Sequence, residues 1–475
     1  MFLICAEAFS RLLHAAEESG ELEGVKVCQD ALSINHLLFA DDSLLLLKAD
    51  ARSANHLQDI LSLYEECSGQ TINKEKSSIM FSRNARIADK QQVMTALDIA
   101  VEAWNEKYLG LPVYMGKSKV RTFAYLKDRI WKRVQGWKEK LLSKAGKEIL
   151  IKAVAQAIPS YAMSCFDLTK TLCDDIGSMI GRFWWAQQEN EQKMHWLSKE
   201  TLCTRKENGG LGFRDLHLFN LAMLARQGWR LLTNPESLCA QVLRAKYFPD
   251  GDIMKVQEGP GISYSWRSIV RGVHALKKGI IWRVGDGTKI NIWLDPWIPD
   301  GITRRPITPR GHTLLTKVSE LIDPATSDWD RQLIEDVFWE EDWQRILSIP
   351  IKQGMDDLLA WHYDKKGVFS VKSEYHVLAD EQKREARKQT GEGSSAPGQS
   401  PDAGFGWRKI WELKCPPKVK HFFFGDSHTT ASLSEETFAD EGWRLILDAR
   451  YVGGWMRMGD IVSLNANTLN CVGGL

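Results

Sequence analysis

The chain has 475 residues, is 44% hydrophobic and 26% charged, and carries a net charge of +1 at neutral pH. That length points to about two to four domains, and near-neutrality excludes a surface that is basic throughout, so any nucleic-acid signal has to be local. Nine scattered cysteines with no C-x-x-C pair exclude a disulfide framework and the usual zinc spacing, and indicate a reducing, intracellular compartment.

The opening MFLICAEAFSRLL lacks a basic leader and meets Glu7 early, so it does not read as a signal peptide. Phe2, Phe9, Leu12, Leu13 and Ala16 share a helical face, which predicts a helix over 2–19 stopped at Gly20. The chain is expected to begin inside an element that packs on something earlier. Residues 32–47 predict a hairpin with Ala40-Asp41-Asp42-Ser43 at its tip and strands buried on both faces. Its apolar run, Leu37 to Leu47, is cut by two aspartates and is too short to cross a bilayer, so no membrane contact is expected. Ala54, Leu57, Leu61 and Tyr64 then mark a helix ending at Gly69, and Ile79 and Phe81 alternate as a strand. The first 85 residues therefore read as a layered α+β unit.

From 119 to 235 the pattern is helical, with one stripe at Leu126, Ile130, Val134, Trp137 and Leu141 and another from Ile149 to Ile158. Residues 280–293 predict a hairpin turning at Gly285-Asp286-Gly287. Residues 380–404 hold no branched aliphatic, Met, Cys or aromatic side chain and read as a flexible linker. The 19 tryptophans, dense from 184 onward, read as core and inter-helix packing.

Asp41-Asp42 is the sharpest local feature. Adjacent carboxylates between apolar strands repel each other and are costly to bury, whereas a plain turn would use Asn-Gly or Asp-Gly. Carboxylates on stiff strands are what a Mg²⁺ pair needs for in-line displacement at phosphorus, although a solvated turn explains the dipeptide as well. The second feature is electrostatic. Residues 117–152 hold twelve Lys/Arg against three acidic side chains, interleaved with Phe123, Tyr125, Trp131 and Trp137. A helix with an apolar stripe and a basic opposite face can dock on a domain while meeting phosphates, the alternative being a solvated charged face.

Seven segments in series carry a resemblance: FLICAEAFSRLL (2–13), HLLFADDSLLLL (36–47), SGQTINKEKSSIMFS (68–82), KYLGLPVYMG (107–116), GGLGFRDLHLFNLAMLARQGWRLL (209–232), IWRVGDGTKINIWLDPWIP (281–299) and WRKIWELKCPPKVKHFFF (407–424). Their order resembles the reverse transcriptases of non-LTR (LINE-type) retrotransposons. The resemblance implies an α+β chain made of an incomplete polymerase palm (1–118) and a helical basic thumb (119–235). A mixed α/β connecting region (236–379), a linker (380–406), the opening of a zinc-binding domain (407–424) and an unmatched tail (425–475) would follow. It implies Asp41 and Asp42 as catalytic metal ligands for Mg²⁺, and Lys74 or Lys76 as the group that protonates the leaving pyrophosphate. Tyr108-Leu109-Gly110 would seat the primer terminus. Lys117, Lys119, Arg121, Lys127, Arg129, Lys132, Arg133, Lys138 and Lys140 would meet the nucleic-acid backbone. The implied partners are an RNA template and a DNA primer, and nuclear residence would suit them.

The resemblance also implies a third catalytic carboxylate upstream of Phe2 and a Cys/His cluster after 424, neither of which this sequence holds. An incomplete Mg²⁺ site and no bound zinc are therefore expected; Cys415 and His421 alone are far from a tetrahedral set. Two readings follow: the C-terminal part of an RNA-directed DNA polymerase, truncated and inactive alone, or a non-catalytic nucleic-acid-binding remnant of a retroelement.

Overall fold

The computed structural model describes residues 1–103, 107–113, 115–138, 140, 142–185, 197–299, 303–352, 354–389, 407–421 and 424, and over them the protein is mostly helical with short strands, broadly α+β. In chain order the elements begin with α1 (Phe2–Glu18), β1 (His36–Phe39), β2 (Asp42–Leu45), α2 (Ala51–Ser68), α3 (Ile87–Leu97), β3 (Lys107–Tyr108) and β4 (Leu111–Pro112). Next come α4 (Lys119–Thr122), α5 (Ala124–Lys138), α6 (Lys144–Leu150), α7 (Ser160–Met163), α8 (Lys170–Trp185) and α9 (Lys199–Cys203). Then follow α10 (Leu216–Thr233), α11 (Leu238–Tyr247), α12 (Tyr264–Leu276), β5 (Ile280–Arg283), β6 (Ile322–Asp323) and β7 (Asp328–Trp329). The described chain ends with α13 (Arg331–Val337), α14 (Glu340–Leu347), β8 (Leu358–Trp361), α15 (Val371–Gln389) and α16 (Trp407–Glu412). It divides into two compact units, one made of Met1–Arg129, Ile158–Asp175 and Leu216–Thr390, the other of Ile130–Ala157, Ile176–Asp215 and Gly391–Leu475.

In the first unit, Phe9, Leu13 and Ala16 of α1 meet Ala54 and Leu57 of α2 and Val93 and Leu97 of α3 in one apolar core. The helix spacing read in the sequence places these faces together, and α2 is fixed at both ends. Asp50 accepts a hydrogen bond from the Ser53 N–H at 2.8 Å, and Gly69 closes the helix at φ +68°. The expected hairpin forms, with Phe39 opposite Asp42 and His36 opposite Leu45, so that its turn is shorter than the Ala40–Ser43 tip read in the sequence. Its strands are not buried on both faces, however. Leu38 and Leu45 pack on the core, whereas Leu37 is exposed and Phe39 is 61% exposed. Among the described residues these two strands pair only with each other, so no wider polymerase palm sheet is seen. The strand expected at Ile79 shrinks to a single bridge with Glu102.

A second part of this unit is built on α10 and α12, which cross where Gly272 faces Leu224; a methyl at Gly272 would stand 2.3 Å from the Leu224 carbonyl carbon. Fully buried Asn220 on α10 accepts from the Leu168 N–H at 2.6 Å and donates to the Met163 and Phe166 carbonyls at 2.9 Å each. It thereby pins the turn that follows α7. On α15, Glu374 is wholly buried, and among the described residues neither of its carboxylate oxygens has a hydrogen-bond partner. Burial raises its carboxyl to about 8, with Lys278 only partly opposing.

The hairpin expected over 280–293 does not form. β5 pairs instead with β8, Ile280 opposite Trp361 and Arg283 opposite Leu358. The physical reason is the buried Asp357 carboxylate, which accepts from the backbone N–H groups of Gly285, Gly287 and Lys289 at 2.8–2.9 Å. These amides are satisfied from outside the turn, and the chain beyond them runs to another partner, the Ile292 N–H bonding the Thr316 carbonyl. Tryptophans 297, 329 and 361 are buried here, and each donates its indole N–H, to Ile292 O, Ile349 O and Ser373 Oγ respectively. The linker reading is also corrected at its start: α15 runs to Gln389, so residues 380–389 are helical, while 390–406 lie outside the described residues.

In the second unit, α6 passes directly into a π-helical turn over Ile151–Ala155. Phe183, Trp184, Leu211 and Phe213 are buried, Trp184 meeting Phe213 edge-on with ring centroids 5.5 Å apart.

Candidate nucleic-acid interface

Asp41 and Asp42 occupy the exposed end of the β1–β2 hairpin, where Ala40 takes a positive φ of +51°. The carboxylates stand in water rather than pressed between apolar strands, so the cost that argued for a metal is not incurred. Among the described residues no group of three or more His, Cys, Asp or Glu side chains gathers to hold a metal ion. Asp41 and Asp42 would supply two of the six oxygens that Mg²⁺ takes, water and substrate phosphate the others, and no chemical step is derived through it. Lys74 pairs with Asp98 at 3.0 Å, and Lys76 is exposed on the same short 3₁₀ turn.

The β3–β4 turn takes positive φ at Leu109 (+49°) and Gly110 (+78°), which holds Tyr108 opposite Leu111. Burial pushes the Tyr108 hydroxyl up, and the Asp42 carboxylate and Tyr161 push it further. Lys107 lies over the Tyr125 ring, its Nζ 3.9 Å from the centroid. Burial raises the Tyr125 hydroxyl, the nearby Arg129 lowers it, and Tyr161 again raises it. Lys107 thus ties the β3–β4 turn to the start of α5. Lys107 and Tyr161 escaped the sequence reading; the one available signal was the aromatic interleaving of the basic run, which reached Tyr125.

The basic run divides by what its members touch. Lys119 donates to the Gly116 carbonyl and lies over the Tyr264 ring, and Lys127 pairs with Asp175 at 2.7 Å. Lys117, Arg121, Arg129, Lys132, Arg133 and Lys140 are exposed, whereas the side chain of Lys138 lies outside the described residues. On α5 the buried stripe is Leu126, Ile130 and Val134; Arg129 and Arg133 are exposed on one flank of it, Lys132 opposite it, and Trp131, 51% exposed, on the other flank. Among the described residues most tryptophans are buried or half-buried, and Trp339 is exposed as Trp131 is.

The second unit contains a charge cluster that the sequence did not reveal. The nearly buried Glu148 carboxylate accepts from Lys152 at 2.6 Å, Lys206 at 2.8 Å and His421 Nε2 at 2.7 Å. Burial alone would raise this carboxyl, but those hydrogen bonds outweigh it and hold it at about 2. Lys206 lies 4.0 Å from the Trp411 ring centroid, and the His421 ring packs against Trp184 and Trp411. Every partner serves the packing of this unit. No helix of the described residues is long and apolar enough to cross a membrane.

No known protein-family model matches the chain. It is 46% identical over 145 residues to "Uncharacterized mitochondrial protein AtMg00310" of Arabidopsis thaliana, an alignment covering 30% of this chain and 94% of that one. It is 28% identical over 340 residues to "Putative ribonuclease H protein At1g65750" of the same plant, covering 69% of this chain and 51% of the relative. The chain therefore spans about half the length of that protein. A third match, "Uncharacterized mitochondrial protein AtMg01250", is 46% identical over 43 residues, covering 9% of this chain and 35% of that one. None of these three names is a reverse transcriptase, which overturns the resemblance to LINE-type reverse transcriptases. The nuclear residence that rested on it alone falls with it.

Proposed function

We propose, for a chain that belongs to the family of the Arabidopsis mitochondrial protein AtMg00310, that its role is non-catalytic binding of nucleic acid and that it descends from a mobile genetic element. The observation that carries the reading is the solvent face of α5. Arg129, Lys132 and Arg133 stand exposed there, with the half-exposed Trp131 on the flank opposite Arg129 and Arg133. Cations without a buried role supply backbone affinity, and an exposed aromatic plane offers a base something to stack on. The second relative supports an RNA-containing partner, since its name is that of a ribonuclease.

The test is fluorescence anisotropy of the full chain with a labelled single-stranded RNA at 50 and 200 mM salt. Three phosphate contacts on a single strand give a slope of about −2 in log K against log salt, roughly a twenty-fold loss over that range. Replacing Arg129, Lys132 and Arg133 by Gln should flatten the slope, and Trp131→Ala should cost about 1–3 kcal/mol. No binding at 50 mM salt, or binding indifferent to salt, refutes the reading.

A further inference from the structure

Where β1 enters beside α1, three polar side chains form a line of hydrogen bonds whose direction is fixed at each link. The Asn35 side chain is buried, and its Nδ2 donates to the Leu13 carbonyl at 3.1 Å. A carbonyl only accepts, so this contact orients the amide and leaves Oδ1 facing His36. Oδ1 also only accepts, so the 2.5 Å bond between it and His36 Nδ1 is donated by the ring. A neutral imidazole protonated on Nδ1 keeps its lone pair on Nε2, which lies 2.8 Å from Ser10 Oγ. The serine hydroxyl is therefore the donor in this last bond. Burial holds the imidazole below its ordinary range and so keeps it neutral; the His14 ring, 5.0 Å away, adds to this, and Glu17 opposes both.

A single bond would suffice to staple a helix to a strand. Here a serine proton points at a free imidazole lone pair, and a third group fixes the tautomer that provides it. Nucleophile, base and orienting group in hydrogen-bond sequence is the arrangement that activates a serine. The hydroxyl is within reach of solvent: Ser10 is half-buried, and Glu7 and His14, its neighbours one turn away on α1, are exposed. Ser10 also lies inside α1, where its own N–H is bonded along the helix and cannot steady an oxyanion. The geometry therefore favours taking up an acyl group over repeated turnover.

We propose that Ser10 is a modification site, a nucleophile that takes an acyl group from an activated carboxylic ester with His36 as its base. Ser10 Oγ bonds to the acyl carbon as the C–O bond to the leaving group breaks. The serine proton passes to His36 Nε2 and from there to the departing oxygen. The products are one ester on the chain and one free alcohol. No residue of this site lies on α5, and it is loaded once rather than turning a substrate over.

The experiment treats the full chain with p-nitrophenyl acetate at neutral pH, follows nitrophenolate release and locates the acetyl group by peptide mass spectrometry. Wild type should release one equivalent in a burst and carry the acetyl group on Ser10. Ser10→Ala should abolish the burst. His36→Gln keeps a hydrogen-bonding side chain but no base, and should slow the burst about a hundredfold. Urea unfolding followed by tryptophan fluorescence establishes that each variant is folded, and the peptide mapping of wild type decides the site without any variant. No burst from wild type, an acetyl group found on lysines or the N-terminus instead of Ser10, or a folded His36→Gln variant that labels at the wild-type rate overturns the proposal.

Discussion

Removing the carboxylate of Glu374 should stabilise the first unit above neutral pH. Its side chain is 0% exposed, both oxygens lack hydrogen-bond partners among the described residues, and its carboxyl is held at about 8 against an ordinary 4.5. A carboxyl raised by folding favours the protonated form. The contribution to stability is therefore fully present below pH 4.5 and is lost as pH rises toward about 8. At 1.36 kcal/mol per unit, the full loss has a ceiling of about 5 kcal/mol, most of it spent by pH 7. Glu374→Gln removes the titration, and Glu374→Met also removes the unsatisfied oxygens at similar volume. Urea unfolding followed by tryptophan fluorescence at pH 5 and pH 8.5 measures the effect. Wild type should lose several kcal/mol between the two, and Glu374→Met should lose far less and exceed wild type at pH 8.5. A wild-type stability equal at both pH values, or a Glu374→Met variant with the wild-type slope, would refute the reasoning.

Glu148 should behave in the opposite sense: its carboxyl is depressed to about 2, so its contribution is present above pH 4.5 and disappears as pH falls through about 2. Glu148→Gln should remove about 3 kcal/mol at pH 6 and very little at pH 2, read by thermal unfolding across that range. Asn220→Leu keeps the volume but strands the Leu168 N–H and the Met163 and Phe166 carbonyls, so it should cost about 3 kcal/mol or more in urea unfolding at constant pH.

What the sequence made legible was local. The α1 and α2 faces, the Gly69 helix end and the presence of the β1–β2 hairpin depend on neighbours a few residues apart, and these are read correctly from spacing. The failures have long-range causes. The 280–293 segment looks like a hairpin because its turn residues are right, but the amides of that turn bind a carboxylate some seventy residues on. Residues 380–389 look like a linker because they cannot form a core. Yet their Glu, Lys, Arg, Gln and Ala are strong helix formers that need none to continue α15. At the candidate interface, Tyr108 and Tyr125 were visible in the sequence, but Lys107 meets the Tyr125 ring only through folding. Motif order suggested a polymerase lineage that the named relatives do not bear out.

The Asp357 clasp has a consequence for biosynthesis. During translation, β5 and its glycine loop leave the ribosome long before Asp357 and β8 do, with the bonds closing spans of 72, 70 and 68 residues. Until then three loop amides and a strand edge stay open to solvent and to other chains. Any shortened version that stops between Lys289 and Asp357 keeps that vulnerability permanently, whereas one extending past Trp361 delivers the strand that seals it.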